Sequence, residues 1–88
     1  MMGLRERLLD ALIAGQIGHG IVVTRQEFIQ HFSDVGEGYT GVLLSNAEIT
    51  TAPPHSPTYK YFTIRLRKGV YLIHPNAILE RMQERGLT

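Results

Sequence analysis

The 88-residue sequence predicts an α+β domain, and three local patterns carry the prediction. Apolar residues recur at helical spacing near both ends of the chain. A Thr-x-x-Glu pair opens a helix at Thr24, and an alternating stretch turns at Lys68-Gly69 into a second apolar run.

Over residues 4–14, Leu4, Leu8, Leu9, Leu12 and Ile13 fall on one helical stripe, and Gly15 ends it. Gly18 and Gly20 lead into Ile21-Val22-Val23, a β-branched run that predicts a short strand in need of a partner elsewhere. Thr24 and Glu27 then have capping-box spacing, in which each side chain satisfies an N–H left open at a helix start. The helix they open carries Phe28, Ile29 and Phe32 on one face and ends near residues 31–33, where Ser33-Asp34-Val35-Gly36 reads as a turn. A second short helix is expected over 39–48, with Gly38 or Thr40 as its cap. Val42, Leu43 and Ala47 would face inward, and Tyr39, Thr40, Ser45 and Asn46 would stay on the polar face.

Residues 49–57 break all periodicity with Pro53-Pro54 and Ser56-Pro57, so they read as an extended connector. Residues 59–67 alternate as a strand, with Phe62, Ile64 and Leu66 on one face and Tyr59, Tyr61, Thr63, Arg65 and Arg67 on the other. Lys68-Gly69 is a tight turn in which glycine takes the positive-φ position, and Val70 to His74 returns as the partner strand. A last helix over 77–85 turns Ile78, Leu79 and Met82 inward and stops at Gly86.

A chain of 88 residues buries only a little over ~60% of its unfolded surface, so one domain spans residues 1–88. With no cysteine there is no disulfide framework, thiol nucleophile or Cys-based zinc site, which suits a reducing cytoplasm as the expected location. No apolar run approaches the ~20 residues of a membrane span, and Arg5, Glu6, Arg7 and Asp10 interrupt the leucines where a signal peptide would need an apolar core. No membrane partner is expected.

In chain order these elements are α1 (4–14), β1 (21–23), α2 (24–33), α3 (39–48), β2 (59–67), β3 (70–74) and α4 (77–85). The order α1-β1-α2-α3-β2-β3-α4 resembles the winged helix-turn-helix, with the hairpin as its wing. Val23-Thr24-Arg25-Gln26-Glu27-Phe28 together with Arg67-Lys68-Gly69-Val70-Tyr71-Leu72-Ile73 resembles small winged-helix domains found alone or fused to restriction enzymes in bacteria and phages. The resemblance implies a domain that binds double-stranded DNA, as a small transcriptional regulator or a DNA-binding accessory factor. The long Pro-rich connector departs from the usual pattern.

The net charge of +1 conceals a segregation. No acid occurs in the thirty-one residues from Ile49 to Leu79, which hold Lys60, Arg65, Arg67 and Lys68. Arg65 and Arg67 share a predicted strand face with Tyr59 and Tyr61, a mixture suited to phosphate contact and stacking. Sheet edges also carry Lys and Arg simply to discourage pairing. A second element agrees with the DNA reading. In a helix-turn-helix the second helix enters the major groove, where Tyr39, Thr40, Ser45 and Asn46 would meet base edges, although Ser and Asn near a helix end are commonly caps. Thr24, Arg25 and Gln26 would meet backbone phosphate at the preceding helix start, helped by the helix dipole.

Other motifs carry less. Gly36-Glu37-Gly38-Tyr39-Thr40-Gly41 matches G-x-G-x-x-G, but a helix rather than a strand precedes it and the chain is too short for a dinucleotide fold. His19, His31, His55 and His74 have no metal-ligand spacing, and no serine sits in a nucleophile elbow. Neither cofactor, metal nor catalytic role is expected. Two further partners are: a second copy, should Ile78, Leu79 and Met82 face outward, and a protein partner held by the Pro-rich connector or hairpin.

Overall fold

The computed structural model describes residues 3–49 and 61–87. Seven elements follow in the expected order: α1 (Leu4–Ile13), β1 (Val22–Thr24), α2 (Arg25–His31), α3 (Glu37–Asn46), β2 (Thr63–Arg67), β3 (Val70–Ile73) and α4 (Pro75–Glu84). The three strands form one antiparallel sheet in the order β1-β3-β2, so the hairpin's second strand is central and is the partner that β1 lacked in sequence. This is a winged helix-turn-helix-like α+β architecture.

The helices pack on one face of the sheet around Leu8, Leu9, Val23, Phe28, Leu44, Phe62 and Ile73, all buried. Phe28 and Phe32 on α2 meet edge to face at 5.2 Å, a favoured aromatic geometry. The turn between α1 and β1 depends on Gly18, whose φ is +74° and where any Cβ would collide with the Val22 carbonyl oxygen.

α2 begins as its sequence requires. The Thr24 hydroxyl accepts the Glu27 N–H at 3.0 Å, and the Glu27 carboxylate accepts the Thr24 N–H at 2.9 Å. α4 starts two residues earlier than expected, with Pro75 in its first turn and the His74 side chain accepting the Asn76 N–H at 3.1 Å.

α4 is fastened to α1 by charge as well as by apolar contact. Arg81 grips Asp10 with two nitrogens, at 2.8 and 3.0 Å, and Arg85 adds a third bond at 3.3 Å. The Arg81 hydrogen bond holds the Asp10 carboxyl below its ordinary value against the opposing effect of burial. Ile78 packs against the core and Met82 is half-buried. Leu79, expected inward, is exposed.

The structure corrects the face assignment on β2. Thr63 pairs with Ile73 and Arg65 with Tyr71, and Thr63, Ile73 and Tyr71 are all buried, so Thr63 lies on the core face. Ile64 pairs with Leu72 on the opposite face, and Leu66 is 52% exposed. The expected alternation fails because Phe62 and Thr63 both turn inward, their consecutive N–H groups donating to the one carbonyl of Ala47 at 2.9 and 3.0 Å. The strand's phase begins at Thr63, one residue later than Phe62 suggests, and a one-residue slip exchanges the faces. A register irregularity between Arg65 and Arg67 then ends the regular ladder at the wing.

Candidate nucleic-acid interface

Among the described residues the cations fall into two groups. Arg5, Arg7, Arg81 and Arg85 form ion pairs with Glu6, Asp34 and Asp10 on the helical side of the fold. Among the described residues, Arg25, Arg65, Arg67 and Lys68 form no ion pair. The second group is exposed and occupies the start of α2 and the wing.

Three of them converge. A cleft of about 700 Å³ separates the α2 start from the hairpin, with Thr24, Arg25 and Gln26 along one wall and Arg65 and Lys68 along the other. Tyr71 also lines it, as the cross-strand neighbour of Arg65. The two walls are bonded to each other, since the Arg25 N–H donates to the Gly69 carbonyl at 2.8 Å and Thr24 pairs with Val70. Gly69 makes the approach possible by adopting φ +75° in the tight turn.

The Arg25 guanidinium is held in place as well. Its Nε donates to the Gly41 carbonyl of α3 at 2.9 Å, joining the two helices of the helix-turn-helix. A guanidinium carries five N–H donors, so this bond leaves the terminal nitrogens for an external acceptor.

The backbone at the α2 start is less available than the sequence suggests. The Arg25 N–H is bonded to Gly69 and the Glu27 N–H to Thr24, while the Glu27 carboxylate occupies the Thr24 N–H. That last hydrogen bond holds the Glu27 carboxyl below its ordinary value, keeping an anion at the helix start. An incoming phosphate would therefore meet the side chains of Arg25 and Gln26, both exposed, rather than the helix amides.

On α3 the expected polar face is only partly present. Tyr39 is 58% exposed, and Ser45 and Asn46 are exposed. Thr40 is 1% exposed and faces the core, which corrects its placement on the open face. Val42, expected inward, is 43% exposed. The buried stripe is Thr40, Leu44 and Ala47, with Leu43 packed beside it, at the spacing of one helix face. Angular phase overrides side-chain type here, since a threonine lies on the inner stripe and a valine outside it. The helix also begins at Glu37 with Gly36 as its N-cap, ahead of the expected Gly38 or Thr40.

Lys60 and the connector after Ile49 lie outside the described residues. The G-x-G-x-x-G match spans the cap and first turns of α3 and follows α2, without a preceding strand. No group of three or more metal-ligating side chains occurs among the described residues, and none of their helices is long and apolar enough to cross a membrane.

Sequence reading missed Tyr71, Gly41 and Gly69 as parts of this surface. Tyr71 enters through the hairpin register, and the two glycines offer Arg25 their backbone carbonyls, which no side-chain pattern records. No protein-family model, curated protein or solved structure matches this chain.

Proposed function

We propose that this chain binds double-stranded DNA through the surface formed by the α2 start and the wing, acting as a small transcriptional regulator or as a DNA-binding accessory factor. The observation that supports this most is the convergence of Arg25, Arg65 and Lys68 on one cleft with no carboxylate paired to any of them among the described residues. Exposed cations outside ion pairs gain by displacing the counterions of a phosphate backbone. Arg67, at the end of β2, is a further exposed cation of the wing, paired with Val70 across the register shift. No catalytic step belongs to this reading.

A gel-shift titration with random-sequence duplex DNA at ~50 and ~200 mM salt tests it. Binding at the lower concentration that weakens sharply at the higher one is expected, with further weakening in the Arg65→Ala, Arg67→Ala double variant. Absence of a shift at low salt contradicts it.

A second reading has its own observation. Tyr39 and Val42 lie exposed on α3 and give that helix an apolar patch suited to a protein partner. This reading expects Tyr39→Ala with Val42→Ser to abolish capture of that partner and to leave any duplex affinity unchanged.

A further inference from the structure

We infer that this protein holds duplex DNA from the wing side through phosphates, and that base sequence contributes little to the affinity. The inference rests on the duplex-binding reading above and specifies how the duplex is recognised.

The argument is an inventory of what α3 can offer to base edges. In a helix-turn-helix the second helix addresses bases mainly from its N-terminal residues. Here those residues are Glu37, Gly38 and Tyr39, and the whole helix from Glu37 to Asn46 contains no Lys or Arg. The commonest specific contact, a Lys or Arg fork on guanine, is therefore absent from it. Thr40 is buried, and the Ser45 hydroxyl donates to the Val42 carbonyl of its own helix at 3.2 Å. Among the described side chains, the remaining polar tips on the open face are Tyr39 and Asn46. Asn46, the one side chain there with bidentate potential toward adenine, is the last residue of the helix, at the end opposite to the one that reads bases.

The cations show the complementary distribution. Arg25, Arg65 and Lys68 line the cleft beside the wing, and Arg67 is next to it. Contacts from these groups position a duplex and carry no sequence information directly. A surface that gathers its cations at the wing and the α2 start, with an α3 that carries none, favours grip over readout. Three to four phosphate contacts predict a slope of log affinity against log salt of about −3 to −4, taking ~0.9 per contact.

The test is a selection from a randomised duplex pool, followed by fluorescence anisotropy on the best recovered duplex and on the unselected pool. The affinity ratio between them is expected to be below about tenfold, roughly what a single good base contact would supply. Asn46→Ala is expected to change neither affinity by more than about twofold. Lys68→Ala, at an exposed position in the turn, is expected to weaken both duplexes by the same factor. A selected duplex bound more than tenfold tighter than the pool, with that advantage lost in Asn46→Ala, overturns the inference and leaves duplex binding intact. No binding of either duplex at ~20 mM salt overturns both the inference and the reading beneath it.

Discussion

The backbone N–H of Arg25 donates to the carbonyl oxygen of Gly69 at 2.8 Å, bonding the first residue of α2 to the turn of the wing. Two elements forty-four positions apart in sequence thus form one wall-to-wall unit, and the cations on either side are held at a fixed separation rather than on independent loops. Gly69→Ala tests this link. The added methyl has open space around it, so its cost is the positive φ alone, roughly 1 kcal/mol or somewhat more. An unfolding free energy lowered by that amount in urea denaturation is expected, together with weaker duplex binding from a loosened wing.

The Thr24 cap fixes where α2 begins and hence where Arg25 lies. Thr24→Ala removes the acceptor of the Glu27 N–H, and a lost N-cap costs ~1 kcal/mol. Thr24→Ser keeps that acceptor and is expected to retain most of the stability. Thermal melts of both variants give the comparison.

Two buried threonines predict opposite outcomes for the same substitution. The Thr63 hydroxyl donates to the Leu44 carbonyl at 2.7 Å, and Thr63→Val breaks that bond inside the core at a cost of about 1–2 kcal/mol. The Thr40 hydroxyl is buried with no hydrogen-bond partner. Thr40→Val relieves that desolvation and is expected to be neutral or stabilising by up to ~1 kcal/mol. Equal destabilisation by both would contradict the assigned bonding.

The α1–α4 contact predicts a pH dependence. Asp10 is held below its ordinary pKa of 3.8 by the Arg81 hydrogen bond, with Arg85 contributing. A carboxyl depressed in the folded state stabilises the fold above the unfolded pKa and loses that contribution as pH falls through the folded one. Asp10→Asn is therefore expected to cost about 1–2 kcal/mol near neutrality for a partly buried, bidentate pair. The difference from the parent protein should shrink as pH drops below ~4, which urea denaturation at stepped pH measures.

Most of the element order was legible in the sequence because its signals are local. The capping box at Thr24 and the Lys68-Gly69 turn act through near neighbours and lie where expected, and the β-branched run at Val22 forms its strand one residue later, at Val22–Thr24. What escaped was decided by tertiary geometry. Phe62 and Thr63 both turn inward on the Ala47 carbonyl, which reverses the strand faces and could not be read from alternation. Thr40 and Val42 exchange roles because the packing angle of α3 is set by α2 and β2, not by its own composition. The basic wing was visible as an acid-free stretch. Its junction with Arg25 was not, since it runs through the carbonyl of Gly69.

The central claim is that Arg65 and Lys68, facing Arg25 across the cleft, bind the phosphates of a DNA duplex. The salt dependence of duplex affinity in the parent protein and in the Arg65→Ala, Lys68→Ala double variant measures this directly. Removing two phosphate contacts is expected to flatten the slope of log affinity against log salt by about 1.8 and to weaken binding at ~50 mM salt by at least about tenfold. A double variant that keeps both the parent slope and the parent affinity, with its fold intact, would contradict the account.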